Sequence, residues 1–472
     1  MPNRRDQISI CANESSYKEH CAETQATTGE LEMTTAADNE LMTRIGPGTP
    51  AGRLLRQYWQ PAALVDELNT KRPVVPVRLL GEDLVLFRNE AGHYGLLERA
   101  CPHRGADLCF GRLEGGGLRC AFHGWLFDAT GQCLDQPGEP LNSRAHLHLR
   151  HHAYPCEERN GVIFAFLGEG APPPFPAFDC FAAPSEQAFA FKGFWECNWL
   201  QALEVGIDPV HPSFLHRFLS DESTDASYGR QFRAASAHSE MPLTQILREY
   251  PRPTIQVEDT DYGFRLVTTR DLSESVTHYR ITNLVFPNAI AIPMSGEMII
   301  TQWHVPIDDT TCYWYSMFTS FGAPVDRDTM RNQRLENQTL PRYLPKQSRK
   351  SNWGYDPQDQ AVRTYTGLGM DVNTHDQWAV ESPGAIHDRT REHLGKSDVA
   401  IIKYRKLLMN AVRNMKAGKG VPFTFTTEEA ARISGPVAVD AIGARSEEAE
   451  CWLKTDRQRR QNSTWSRAPI TS

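Results

Sequence analysis

No stretch of this chain approaches the run of about 20 uninterrupted apolar residues that a membrane span requires, although 40% of its 472 residues are hydrophobic. The N-terminal segment MPNRRDQISICANESSYKEH carries basic residues but no apolar run behind them. It is therefore not read as a secretory signal, and the cytoplasm is the expected address. Dense basic runs are missing from the body of the chain, and the formal net charge of −8 argues against a nucleic-acid surface. The closest candidate, KTDRQRRQ near the end, reads as a solvated tail. The eleven cysteines are scattered along a long chain rather than packed into a short one, which argues against a disulfide framework. A Gly-rich dinucleotide fingerprint and internal repeats are also missing, so any nicotinamide chemistry would belong to another protein.

What is present divides into four parts. Residues 1–40 are rich in Glu, Thr, Ser and Asn without a hydrophobic period and are expected to be a disordered extension. Residues 41–170 open on NELMTRIGPGTPAGRLLRQYWQPA, a helical lead-in with a Gly-Pro-Gly turn. They continue as short apolar runs divided by turn residues, the pattern of a small all-β unit. The Pro-rich GEGAPPPFPAFDCF marks a boundary. Residues 171–430 mix helical pieces (WECNWLQALEVGIDPVHPSFLHRFL) with strands such as TIQVEDTDYGFRLVTTRD and EMIITQWHVPID. They end on a strong helix with Ile401, Tyr404, Leu408, Val412 and Met415 on one face, Ser397 as its cap and Gly418 as its stop. Residues 431–472 are expected to be a tail. The fold class is thus α+β, an all-β domain followed by an α+β domain.

Within the all-β unit, CPHRGADLCFGRLEGGGLRCAFHGW places a thiol beside an imidazole twice, as Cys101-x-His103 and Cys120-x-x-His123, sixteen residues apart. Both residue types suit a tetrahedral zinc, but zinc sites more often pair Cys with Cys and His with His. One thiolate and one imidazole per cluster suits two metals, each served by one residue type. That is the arrangement of a Rieske [2Fe–2S] centre, with two Cys on one iron and two His on the other. Cys109 and Cys133 nearby read as small buried hydrophobes. In the second domain, NWLQALEVGIDPVHPSFLH offers Asp208, His211 and His216. Two imidazoles and one carboxylate on one face would hold a mononuclear iron with positions left open for oxygen.

On these motifs, together with NELMTRIGPGTPAG, YWQPA and DQWAVESPGAIHDRTREHLGKSD, the chain resembles the catalytic α subunit of a Rieske non-haem iron oxygenase, in the branch typified by phthalate dioxygenase. The resemblance spans about residues 39–413. It implies a Rieske domain followed by a helix-grip catalytic domain, one Rieske [2Fe–2S] cluster and one mononuclear Fe(II). It implies O2 as co-substrate and electrons from NAD(P)H through a separate reductase, carrying flavin and [2Fe–2S]. The activity implied is hydroxylation or oxidative demethylation of an aromatic carboxylate, in a homotrimer or stacked trimers. The matching segment NTHDQWAVES nominates Asp376 as the iron carboxylate, with Asp371 and Asp388 as competitors. Asp208 is implied to bridge between subunits, joining His123 of one chain to His211 of the next; the plainer reading is a helix-capping Asp before Pro209. Glu204, Asn198 and Gln201 fall near the iron without an assignable role. An electron-transfer Rieske protein without oxygenase chemistry is the alternative, opposed by some three hundred residues beyond the cluster motif.

For the substrate, alternation along DYGFRLVTTRD places Phe264, Leu266, Thr268 and Arg270 on one strand face. A guanidinium grips a carboxylate through two parallel hydrogen bonds, so Arg270 is the expected substrate clamp. Sequences of the phthalate type carry two adjacent arginines at about this point, where this chain has Thr269-Arg270. The departure points away from a two-carboxylate substrate.

Overall fold

The computed structural model describes residues 34–220, 241–447 and 449–466. The extension expected over residues 1–40 therefore lies mostly outside the described residues. Its end is ordered: the Thr35 hydroxyl accepts the Asp38 amide at 3.1 Å and caps helix Ala36–Thr43. This helix has little to bury by composition, but its polar groups find partners in the second domain. The Asn39 amide donates to His387 O at 3.0 Å, and Thr43 O accepts from Asn198 at 3.0 Å.

The N-terminal domain is all-β, as expected. Strands Val74–Leu79, Glu82–Arg88, Tyr94–Glu98 and Ala153–Tyr154 form one four-stranded sheet, and Arg112–Glu114, Gly117–Arg119, Leu126–Phe127 and Cys133–Asp135 form another. A third sheet joins Gln60–Leu64 to Val162–Ala165 and Cys156–Arg159. The first and third sheets contribute Leu84, Leu86, Val162 and Phe164 to the same hydrophobic core that fills the second domain. The second sheet has its own smaller core around Phe127, Leu118 and the two motif cysteines.

The second domain is built on one antiparallel sheet. Its order runs Ala188–Trp195, Cys312–Ser320, Met298–Pro306, Ala289–Pro293, Val276–Val285, Gly263–Asp271, Thr254–Thr260. Strand Cys312–Ser320 is buried along almost its whole length, because helices cover one face and the N-terminal domain leans on the other. That is why CYWYSMFTS shows no clean alternation. Helices Trp199–Gly206, Val372–Glu381 and Val399–Lys416 complete the helix-grip arrangement. The last of these buries Tyr404, Leu408 and Val412 as the apolar stripe predicts and ends at Gly418 (φ +70°). Ser397 does not cap it: residues Lys396–Asp398 form a preceding 3-10 turn, and Asp398 instead accepts the Gly395 amide at 2.6 Å.

The expected tail over residues 431–472 is corrected. Val439–Ala444 pairs with the first half of Val276–Val285, and helix Ala449–Asn462 packs behind it. Of the charges in KTDRQRRQ, Lys454 and Arg457 are exposed, but Asp456, Arg459 and Arg460 are buried and mutually neutralised: Asp456 pairs with Arg459 and with Arg460, and Arg460 also reaches Asp179 at 2.7 Å. Three- and four-residue spacing along a helix sets these opposite charges side by side. Composition alone registers the same residues as solvated.

Candidate metal centres

The first centre is assembled by two similar turns. The Cys101 amide donates to Ala106 O and the Gly105 amide to Cys101 O, both at 2.8 Å. In the second turn the Cys120 amide donates to Trp125 O at 2.8 Å and the Gly124 amide to Cys120 O at 3.0 Å. Gly105 (φ +73°) and Gly124 (φ +76°) take the left-handed conformation that closes each turn. At Gly124 a Cβ would also stand 2.6 Å from Pro137 Cγ. These turns bring Cys101, His103, Cys120 and His123 together. The imidazoles of His103 and His123 lie 4.4 Å apart, and Trp125 stacks on His103 at 4.3 Å. Burial, reinforced by the neighbouring Cys120, pushes the Cys101 thiol up to about 11, so a nearby cation is needed to hold it as thiolate. His103 Nδ1 is buried without a hydrogen-bond partner. Two buried sulfurs, two adjacent rings and an unpartnered ring nitrogen fit a [2Fe–2S] cluster.

The second centre begins on helix Trp199–Gly206. Asn198 caps it, accepting the Leu200 amide at 3.1 Å, and Gly206 lets its end approach the sheet, where a Cβ would stand 2.5 Å from Ile290. Asn198, Gln201 and Glu204, unassigned from sequence, hold this helix. Gln201 donates to Val380 O and Gly384 O at 2.6 and 2.8 Å and accepts the His387 amide at 2.8 Å. Buried Glu204 pairs with Arg389 at 2.7 Å and with Arg405 at 2.6 Å. The chain then turns at Asp208. Asp208 Oδ1 accepts the Val210 amide at 2.8 Å and closes a local turn; the 3-10 turn His211–Ser213 that follows begins at Val210 without a side-chain cap, and the Asp208 carboxylate stands 3.9 Å from His211 Nδ1.

Helix Val372–Glu381 brings Asp376 to this turn from far along the chain. Asp376 Oδ1 lies 3.2 Å from His216 Nε2 and 3.8 Å from His211 Nε2. Around a metal bound at about 2.1 Å, neighbouring ligand atoms stand about 3 Å apart. Asp376 Oδ1 is buried and otherwise without a hydrogen-bond partner. Burial would raise this carboxyl, while a positive charge at His216, and then at His211 or His375, would outweigh it and lower it. Two imidazoles and a buried carboxylate without another partner fit a mononuclear iron. The competitors lie elsewhere: Asp371 caps the same helix, and Asp388 caps an exposed turn.

A cavity of about 150 Å³ adjoins the three residues, the size known to admit benzene. Ile290, Ile292, Ile300 and Leu247 give it apolar walls, while Gln302, His304 and Arg280 supply polar ones. His304 is fully buried, and burial pushes its imidazole down to about 3, so it is neutral. Neither His304 nor Gln302 carried a motif in the sequence; only the register of strand Met298–Pro306 turns them inward.

Arg270 is buried as the strand alternation predicts, but it is not among the residues lining the cavity. It lies behind the wall, donating to Tyr250 O at 3.0 Å and Pro209 O at 3.1 Å, and so supports the turn that carries Asp208 and His211. Its Nη1 is buried without a partner, and among the described residues no carboxylate pairs with it. Arg280, which does line the cavity, pairs with Asp440 at 2.5 Å. Burial, with Arg280 adding, pushes Arg270 down to about 10, still protonated near neutrality. Two guanidinium groups thus stand at this wall with one carboxylate, which of the two pairs with Arg280 only.

A family model for the Rieske [2Fe-2S] domain matches residues 58–145, and one described as LigXa C-terminal domain like matches residues 166–459. The tert-butanol monooxygenase / tert-amyl alcohol desaturase oxygenase subunit of Aquincola tertiaricarbonis is 33% identical over 397 residues, covering 82% of this chain and 78% of that protein. The phthalate 4,5-dioxygenase oxygenase subunit of Pseudomonas putida is 32% identical over 403 residues, covering 82% of this chain and 88% of that protein. The crystal structure of dicamba monooxygenase bound to dicamba is similar in fold, with TM-score 0.53 and 20% identity, covering 77% of this chain and 98% of that one.

Proposed function

Because the chain belongs to the Rieske oxygenases, as an oxygenase subunit, we propose that it hydroxylates or oxidatively demethylates an aromatic carboxylate. The observation that carries this reading is the cavity against His211, His216 and Asp376, with apolar walls and an excess of buried positive charge on one side. An iron held by these three residues would activate O2 with electrons passed from the Rieske cluster. The apolar walls exclude water and take an aromatic ring. The substrate carboxylate is placed against the cationic wall, with Arg280 facing the cavity and the unpartnered Nη1 of Arg270 behind it. Such an anchor fixes which ring carbon meets the metal, and orientation of this kind is a large part of the catalysis available to a regioselective oxygenase.

The electrons come from NAD(P)H through a separate flavin and [2Fe–2S] reductase, which places the reaction in the cytoplasm. Among the described residues no helix is long and apolar enough to cross a membrane. Asp208 couples the two centres across the interface of a homotrimer, linking His123 of one subunit to His211 of the next. Its turn contacts to the backbone occupy Oδ1 alone. The test is oxygen uptake with a reductase and NAD(P)H across benzoates, phthalates and methoxy-aromatic acids, with products identified by mass. Uptake coupled to a hydroxylated or demethylated acid is expected. Coupled turnover only of neutral alcohols or arenes would overturn the acid assignment, and no coupled turnover of any substrate would overturn the oxygenase reading.

A further inference from the structure

His375, beside the carboxylate Asp376, is fully buried and stacks on His216 with centroids 5.5 Å apart and planes 22° from parallel. Its Nε2 lies 2.8 Å from Gly369 O. A carbonyl oxygen only accepts, so this nitrogen carries the proton, and in the neutral ring Nδ1 is then a bare acceptor. That Nδ1 is 3.3 Å from His216 Nδ1. His216 must donate there, which leaves its Nε2 with a lone pair, 3.2 Å from Asp376 Oδ1. The direction of each hydrogen bond thus follows from the carbonyl at the end of the chain.

That carbonyl is itself fixed. The Gly369 amide donates to Asp359 Oδ2 at 3.1 Å, and buried Asp359 also accepts from the Thr364 hydroxyl. Thr364 forms a β-bridge with Phe218, two residues beyond His216, and the Leu219 amide donates to Arg363 O at 2.9 Å. A closed ring of contacts therefore runs from His216 through His375, Gly369, Asp359 and Thr364 back to the backbone following His216. His211 is oriented differently. Its Nδ1 donates to Asp208 O at 2.6 Å, within its own turn.

We propose that His375 is a positioning residue for the second metal centre: its Nδ1 accepts the His216 Nδ1–H and holds His216 in the tautomer and rotation that present Nε2 to the metal. The inference rests on reading His211, His216 and Asp376 as a metal site. Outer partners of this kind typically change metal affinity by about 10–100-fold when removed.

The test uses the full chain with its Rieske cluster intact and the second site emptied by a chelator. Co(II) is titrated against a competing chelator, and its d–d bands report coordination. His375→Leu is expected to raise the Co(II) dissociation constant about 10–100-fold and to alter the bands. His375→Gln, which keeps an acceptor oxygen, is expected to recover most of the affinity. His375→Met serves as a second apolar replacement if the leucine variant does not fold, and the visible spectrum of the cluster with the melting temperature reports folding. Unchanged affinity in a folded apolar variant would overturn the role of His375. Equal losses in the glutamine and apolar variants, with folding intact, would overturn it too, since the acceptor would then not be what matters. Failure of the unmodified protein to bind Co(II) in a way that His211→Ala abolishes would instead overturn the metal-site reading beneath it.

Discussion

The two candidate metal centres are assembled over very different lengths of chain. In the N-terminal domain the four side chains lie within residues 101–123, on two turns of one small sheet system, each closed by its own glycine. In the second domain two histidines lie on one turn, and their carboxylate arrives from residue 376 on a helix that must be docked correctly first. The local centre needs only the turns to form. The distant one depends on the Gln201 and Glu204 contacts that fix helix Trp199–Gly206, and on buried Glu381, which anchors the other helix by accepting the Glu196 amide at 2.8 Å and the Trp353 indole at 2.6 Å. A short-range site is therefore robust to changes elsewhere in the fold, and a long-range site reports on them.

Separability is the sharpest consequence. Cys120→Ser is expected to remove the cluster and its visible absorption entirely while the second site still binds Co(II). His211→Ala is expected to remove the second metal and keep the brown colour. The intact protein should hold about three irons and two labile sulfides per chain. Loss of the visible spectrum in His211→Ala would mean that the ligands are divided wrongly.

Coupling between the centres comes next. Asp208→Asn keeps the oxygen that accepts the Val210 amide and should leave both metals in place, yet turnover should nearly vanish as the charged link across subunits is lost. Stopped-flow transfer of electrons from the reduced cluster at the normal rate in this variant would remove the bridging role and leave Asp208 with its local turn contact alone.

The distant centre also rests on the C-terminal segment, since Asp440 of strand Val439–Ala444 pairs with Arg280 at the cavity wall. Asp456→Ala leaves Arg459 and Arg460 buried with one carboxylate fewer, a change that costs about 3–5 kcal/mol. A clear fall in melting temperature is expected, with the cluster spectrum unchanged until unfolding. A variant as stable as the parent would show that helix Ala449–Asn462 does not hold the sheet.

The smallest effect is expected at the cationic wall. Removing a hydrogen bond to a charged group costs about 1.5–3 kcal/mol, so Arg280→Gln should raise KM for an accepted acid by about 10–100-fold. Arg270→Gln, one layer back, should raise it less. The reverse order would return the clamp to Arg270, and no change in either would place the carboxylate elsewhere.

Much of this was legible in the chain itself. Cys101, His103, Cys120 and His123 announce a cluster because turn geometry is local: the glycines, the spacing and the ligand types sit within reach of one another. The strands of the second domain and the stripe of helix Val399–Lys416 were readable from period and apolar run, for the same reason. Asp376 could be nominated only through a family resemblance, because residue types alone do not distinguish it from Asp371 five positions earlier; helix phase and docking select it. Alternation puts Arg270 on the right strand face but not in the right layer, since it gives a side and not a depth. The C-terminal segment reads as a tail because a helix with its charges paired has the composition of a solvated one. His375 was invisible as a candidate, because its role depends on which nitrogen faces Gly369 and which faces His216. Sequence determined the chemistry available and the short-range turns that present it. Only tertiary structure, by burying some polar groups without partners and pairing others, decided which of those groups are directed toward a metal or a substrate.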